Sequence, residues 1–236
     1  MADSTCVVCG TPPTDRYVVS LHGEKTCVRH PADGTCALCG RPGPDGRRGW
    51  SRFTATTARC PTCARQAVDT LDEARKHIPL LRGEMAALGI ALAQRVRVTL
   101  VDPDGLVDDS GALCLGRTLQ RTWVETSVTD VLGIEIARGL TETHFGAVVV
   151  HEIGHAWLAQ RGAPDLSPQV EEGVCELFSG AWLKRRPTGF AAALRRSALD
   201  NPDPVYGAGY RMVRDSVVSH GITAVLDSVC GRGRLP

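Results

Sequence analysis

In the stretch VVVHEIGHAW, His151 and His155 stand four residues apart with Glu152 beside the first. Residues four apart share a face of an α-helix, so both imidazoles can reach one ion while Glu152 reaches a water beside it. A zinc hydrolase needs a third protein ligand and a fourth position left for water. The stretch VEEGVCE offers Glu171, Glu172 and Glu176, sixteen to twenty-one positions past His155, far enough along the chain for a second helix to return across the first. Glu172 and Glu176 are i, i+4 and share a face; Glu171 is expected to point elsewhere. This reading makes Glu172 the metal ligand and Glu176 the partner of a ligand histidine's free ring N–H. Gly173, next to the ligand, removes a side chain where helices must approach. With zinc at this point, water becomes acidic enough for Glu152 to take its proton during attack on a carbonyl and pass it to the leaving nitrogen. The oxyanion that develops needs a further donor. Tyr206 and Tyr210, in DPVYGAGYR, are the candidates.

A second chemistry lies in the cysteines. Seven of the ten fall in the first 63 residues. They form Cys6-x2-Cys9, Cys27-x2-His30, Cys36-x2-Cys39 and Cys60-x2-Cys63. Two ligands three apart can both reach one tetrahedral ion from a tight turn, and a second such pair completes the coordination. The spacing predicts two closed structural zinc sites, Cys6/Cys9/Cys27/His30 and Cys36/Cys39/Cys60/Cys63. His22 is a rival to His30 but has no partner at knuckle spacing. The segment has few large apolar residues, so metal binding there is expected to supply folding energy. Cys114, Cys175 and Cys230 have no such partners and read as buried free thiols, and His144 and His220 as solvated or satisfied.

These sites need scaffolds. The cysteine-rich segment, residues 1–66, reads as one zinc module. Residues 67–90 read as a connector helix, with apolar residues at Val68, Leu71, Ala74, Ile78, Leu81, Met85 and Leu88 and a kink or break expected at Pro79. Residues 91–236 read as an α+β domain. RVRVTLVD alternates as a strand does, PDGLVDDSG is a turn-rich loop, and ALCLGRTLQRTW and SVTDVLGIEIARGL supply further strands. The THFGAVVVHEIGHAWLAQRG segment reads as a helix ending at Gly162, and a second helix starts with Ser167 as N-cap and Pro168 at its first position.

Composition bounds the alternatives. Hydrophobic residues are 43% and charged residues 22% of 236, within the globular range. The net charge of +1 makes no bid for nucleic acid or an anionic membrane. No apolar run is long enough for a membrane span, and MADSTCVVCG lacks the basic and apolar regions of a secretory signal, so a reducing cytoplasm is expected.

Taken together, HEIGHAWLAQRGAPDLSPQVEEGVCELFSGAWL resembles the HExxHAW helix and VEEG helix of the DA1-type LIM-domain peptidases, ubiquitin-linked growth regulators best known from plants. PDPVYGAGYR and the ending GRGRLP are similar to that family's PVYG motif and close. KTCVRHPADGTCALCG resembles the middle of its LIM region, and HIPLLRGEMAALG the helix after it. The resemblance implies a gluzincin-type zinc metallopeptidase, a small zincin-like domain preceded by a LIM-like module of treble-clef or zinc-ribbon type. It implies His151, His155 and Glu172 as metal ligands, Glu152 as general base, and one catalytic and two structural Zn2+. It favours Tyr206 over Tyr210, because the family carries phenylalanine at the second position. It implies protein or peptide substrates and a module that packs on the peptidase, with a ubiquitin-like or adaptor partner. Two departures stand out. His30 and Cys36 are separated by five residues where ordinary LIM domains have two, and the chain begins almost at the first cysteine, so the family's ubiquitin-interacting segments are not expected. The rival reading is a catalytically silent LIM-like adaptor that binds protein partners.

Overall fold

The computed structural model describes residues 5–13, 16–30, 34–43, 48–107, 113–123 and 128–236. It is a mixture of helix and sheet. The end of the turn-rich loop PDGLVDDSG, residues 108–111, lies outside the described residues.

The cysteine-rich segment is built from two short antiparallel hairpins. β1 (Tyr17–Val19) pairs with β2 (Lys25–Cys27), and β3 (Ser51–Arg52) with β4 (Ala58–Arg59). Each hairpin delivers ligands: Cys27 ends β2, Cys60 follows β4 as the N-cap of α1 (Pro61–Arg65), and Cys63 lies inside that helix. Among the described residues of the segment, the large buried apolar side chains other than cysteine are Leu38 and Phe53. A core so small cannot offset chain entropy, so the cysteine sites must hold it together.

Directly after α1, the two-residue β5 (Ala67–Val68) pairs antiparallel with β9 (Leu140–Thr141). The connector is α2 (Leu71–Ala87), started by a capping box in which Thr70 Oγ1 accepts from Glu73 N–H at 3.3 Å and Glu73 accepts from Thr70 N–H at 2.9 Å. Ala74, Ile78, Leu81 and Met85 are its buried stripe, as their spacing predicts. Of the kink or break expected near His77, the break does not occur: the helix runs on through Pro79. Pro79 and Arg75 are both exposed, so the carbonyl that loses its donor is turned to water, and packing of the opposite stripe holds the helix through the proline.

A three-stranded sheet follows in the order β6–β8–β7. β6 (Val98–Val101) runs parallel to β8 (Val128–Ala137), while β7 (Gly116–Trp123) is antiparallel to it, with a bulge at Leu119/Gln120. Helix α3 (Glu142–Gln160) packs on β8 and β7, and α4 (Pro168–Lys184) packs on α3. Phe145, Val149, Val150 and Ile153 of α3 and Ile134 and Ile136 of β8 belong to one core, all essentially inaccessible. Each such side chain contributes about 1.5–3 kcal/mol on burial. α3 ends as its sequence predicts, with Gly162 at φ 64° just past the last turn. α5 (Gly189–Leu199), α6 (Tyr206–His220) and α7 (Ile222–Arg232) complete the chain. α6 lies against α4 so closely that a Cβ on Gly173 would stand 2.4 Å from the Gly209 carbonyl oxygen. The close approach foreseen at Gly173 is therefore real, and its partner is α6. No described helix is long and apolar enough to cross a membrane.

Candidate metal centre

α3 is buried on most of its circumference, and His151 and His155, each with a side chain 13% exposed, are among its few positions that still reach solvent. Its N-cap Thr141 accepts from His144 N–H, and that of α4, Ser167, accepts from Val170 N–H with Pro168 at the first position. These caps fix where each helix starts, and so which side chains face each other across the α3–α4 seam.

Four carboxylates and two imidazoles meet there. His151 Nε2 lies 3.0 Å and His155 Nε2 3.6 Å from the same Glu172 oxygen, Oε2. The opposite ring nitrogens face separate carboxylates. His155 Nδ1 is 2.9 Å from Glu171 Oε1, and His151 Nδ1 is 3.4 Å from Glu176 Oε1. The rings are 5.1 Å apart between centroids. Two ligand atoms on a tetrahedral zinc stand roughly 3.4 Å apart, so these separations suit one ion. Glu176 lies on the outer side of the His151 ring, at the longer of the two distances. Glu171 does not point elsewhere: it faces the second histidine, because α4 presents a wider arc to α3 than one i, i+4 row. Burial disfavours the charged form of both imidazoles. Glu172 and Glu176 nevertheless hold His151 well above the usual range, and the Cys175 sulfur with Glu171 and Glu172 does the same for His155. Burial likewise opposes the Glu172 charge, yet His151 and His155 pull its carboxyl down to about 2. Two imidazole nitrogens and a carboxylate oxygen turned toward one another are the donor types a catalytic zinc takes, so this set fits zinc.

Glu152 is the fourth carboxylate, 5% exposed, and Thr118 Oγ1 of β7 donates to its Oε2 at 2.8 Å. Strand and carboxylate are in close contact: a Cβ on Gly116 would stand 2.9 Å from Glu152 Oε1 and 2.7 Å from Val148 Cγ1. Neither Thr118 nor Gly116 is marked by any local pattern. Cys175, read from the sequence as an unpartnered buried thiol, is buried, but its sulfur lies within 4.8 Å of both imidazoles and against Gly154. Burial raises its thiol pKa.

The two tyrosines separate. Tyr206, the first residue of α6, stands with its ring centroid 6.4 Å from that of His151. Burial and then the Glu172 charge raise its hydroxyl to about 12, so it stays a proton donor. Tyr210 is buried, its hydroxyl against Gly180 and away from the histidines.

Both cysteine sites are assembled. The donor atoms of Cys6, Cys9, Cys27 and His30 lie within 4.8 Å of one another, and so do those of Cys36, Cys39, Cys60 and Cys63. Backbone N–H groups point at the sulfurs: Cys27 to Cys6 at 3.4 Å and Cys60 to Cys36 at 3.2 Å. His30 Nε2 is buried beside Cys6 and Cys9 with no hydrogen-bond partner, as suits a metal ligand. His22 is not in this set; its Nε2 lies 3.3 Å from Cys63 Sγ of the other site.

The class these features define is a metal-binding protein of mixed helix and sheet with an N-terminal, LIM-like pair of cysteine zinc clusters. The chain belongs to the DA1-like family, whose model, Protein DA1, matches residues 63–201, more than half of its length. That match spans α1 to α5, including His151, Glu152, His155 and Glu171 to Glu176. The chain is similar to Protein DA1-related 1 of Arabidopsis thaliana, 27% identical over 138 residues, which are 45% of this chain and 25% of that relative. Protein DA1 of the same plant is 27% identical over 139 residues, 47% of this chain and 26% of its own. The LIM domain-containing protein HDR3 of Oryza sativa subsp. japonica is 34% identical over 55 residues, 23% of this chain and 11% of its own. The matched stretches thus span about a quarter or less of these relatives. No solved structure matches.

Proposed function

We propose that the chain is a zinc-dependent endopeptidase of the gluzincin type, with a zincin-like domain behind the two structural zinc sites. The observation that carries this reading is the orientation of the imidazoles: both Nε2 atoms converge on one Glu172 oxygen, while each Nδ1 faces a carboxylate of its own. A structural ion pair has no need of that division. A metal ligand does, because the outward carboxylate fixes the tautomer and leaves the inner nitrogen's lone pair free.

His151, His155 and Glu172 would hold the ion, leaving a position for water and for a peptide carbonyl. Zinc bound there supplies Lewis acidity and an acidified water. Glu152 accepts the proton of the attacking water and returns it to the leaving nitrogen. Thr118 holds that carboxylate by one oxygen and keeps the other available. Tyr206 donates from its hydroxyl to the oxyanion. β7, an edge strand of the sheet, runs past Glu152 with one side unpaired by strands among the described residues, so an extended peptide can align along it.

The adaptor reading draws on a different observation. β1 leaves Tyr17, Val18 and Val19 exposed at 44%, 39% and 53% on the zinc module, a surface suited to a protein partner. Zinc content separates the two: three ions per chain support the enzyme, two the adaptor. The decisive experiment is proteome-wide cleavage profiling with zinc-loaded wild type against Glu152→Gln. Wild type should produce new protein ends that the variant makes 10²–10⁴ times more slowly. Identical profiles would end the peptidase reading.

A further inference from the structure

His22 belongs to no zinc-binding pair, yet it sits where the zinc module meets the helix that carries the histidines. Its Nε2 is 3.3 Å from Sγ of Cys63. Its ring lies on Phe190 of α5, centroids 4.5 Å apart. Phe190 in turn meets His144 of α3 edge-on at 5.2 Å. His144 is buried and shares a hydrogen bond, Nδ1 to Oγ1 at 2.9 Å, with Thr141, the N-cap of α3. The backbone makes a second route to the same place. Cys63 lies two residues before the end of α1, and the chain passes at once into β5, which pairs with β9 so that Ala67 faces Thr141. Gln66 carbonyl accepts from Glu142 N–H at 2.9 Å, in the first turn of α3.

We propose that His22 is a positioning residue that ties the Cys36/Cys39/Cys60/Cys63 site to the start of α3, so that zinc in the module sets the order of the helix carrying His151 and His155. A zinc with four thiolates carries excess negative charge, and an N–H donated to one sulfur offsets it and fixes that ligand's position. The same ring, packed against Phe190 at a 34° tilt, transmits the position to His144 and the cap. His144 and His151 are seven residues apart, two turns along one face of α3 and roughly 10 Å. On this account the module acts as a brace at the head of α3.

The inference rests on the proposed zinc in that cysteine site and on no peptidase activity, so it is tested on the zinc-loaded full chain with two other readouts. One is the rate of zinc release to a chelator, followed with a chromogenic indicator. The other is hydrogen exchange of the amides of residues 142–147. His22→Phe keeps the ring but not the donor; His22→Gln keeps an N–H near the sulfur but not the ring. His22→Phe should release zinc ten to a hundred times faster. His22→Gln should release it within about threefold of the wild-type rate. His22→Gln and Phe190→Ala should each raise exchange in the first turns of α3 while zinc stays bound. Wild-type release from His22→Phe, or unchanged exchange in both His22→Gln and Phe190→Ala, overturns the proposal. A wild-type chain that holds no zinc in its cysteine sites fails at the first measurement, which marks that outcome as a failure of the structural-zinc reading.

Discussion

The chain carries two kinds of metal-binding geometry, and they differ in what surrounds the donors. In the cysteine module each site has four protein donors and backbone N–H groups aimed at sulfur; Cys6 and Cys27 of the first site lie outside the apolar core, whereas the four cysteines of the second join it with Leu38 and Phe53. At the α3–α4 seam three protein donors converge, the outer ring nitrogens face further carboxylates, and the helices on both sides pack through apolar side chains and not through an ion held between them. In the module, scaffold and ligands are the same residues. At the seam the scaffold is built from apolar packing, so an ion bound there, on the proposed reading, would not be needed to hold the helices together. Four donors stabilise a fold, whereas three donors on a rigid frame keep a position open for a substrate.

The sharpest way to break that contrast is to remove one ligand from each kind of site. Cys60→Ser and Glu172→Gln should each reduce zinc by one ion per chain. Only the first should unfold its surroundings, forfeiting much of the roughly 10 kcal/mol that a structural zinc links to folding. Glu172→Gln should melt within a few degrees of wild type, while its catalysis is lost. Zinc analysis with thermal melts on both variants decides this. Equal destabilisation would mean that α3 and α4 also depend on their ion.

The next effect concerns His144, which joins the two regions. Burial lowers its pKa from 6.5 to about 4. Between those values the unfolded chain binds a proton that the folded chain refuses. Stability therefore falls as pH drops from about 6.5 to about 4, by up to about 3 kcal/mol, and levels off below. Urea unfolding of wild type and His144→Leu across this range checks the sign, and the slope should be shallower in the variant. Parallel slopes would place the acid sensitivity in the metal ligands alone.

Much of this contrast is legible in the sequence, for a reason of range. The four cysteine pairs, the His151/His155 pair, the Ser167–Pro168 helix start and the stripe of α2 all express spacing within a few residues. What the sequence hides depends on contacts across the fold. Thr118 reaches Glu152 from β7, 34 positions away. His22 meets Cys63 across 41 positions, and β5 finds β9 only because the chain returns there. Pro79 reads locally as a helix breaker, but Ala74, Ile78, Leu81 and Met85 override it by packing. Glu171 is misjudged for a geometric reason, while Cys175 is the buried free thiol expected, placed beside the two imidazoles. Each residue turns a helix by about 100°, and α4 offers α3 an arc wide enough for Glu171 on one flank and Glu176 on the other.

At the seam itself the tyrosines sharpen the division between chemistry and scaffold. Tyr206→Phe keeps the ring beside His151 and removes the hydroxyl. It should lower kcat about a hundredfold, about 2.7 kcal/mol, with zinc content unchanged. Tyr210→Phe should leave kcat near wild type and register, if anywhere, in the melting temperature, because its hydroxyl is buried against Gly180. Steady-state kinetics on both variants, with any substrate found by cleavage profiling, tests the assignment. A loss of kcat in Tyr210→Phe equal to that in Tyr206→Phe would reverse it.

The smallest effect probes the outer carboxylates, where geometry and solvent pull in opposite directions. Glu171 makes the shorter contact, 2.9 Å to His155 Nδ1, but its side chain is 38% exposed. Glu176 is less exposed at 21%, and its oxygen stands 3.4 Å from His151 Nδ1. An N–H···O bond weakens beyond about 3.2 Å, whereas partial exposure screens a charge without removing a well-aligned hydrogen bond. Geometry should therefore win. Glu171→Gln should weaken zinc binding more than Glu176→Gln does, both within the ten- to hundredfold range of such outer partners, about 1.4–2.7 kcal/mol. Competitive chelator titrations of the two variants give the ranking. If Glu176→Gln costs more, burial governs these contacts, and His151 is the histidine whose orientation limits the site.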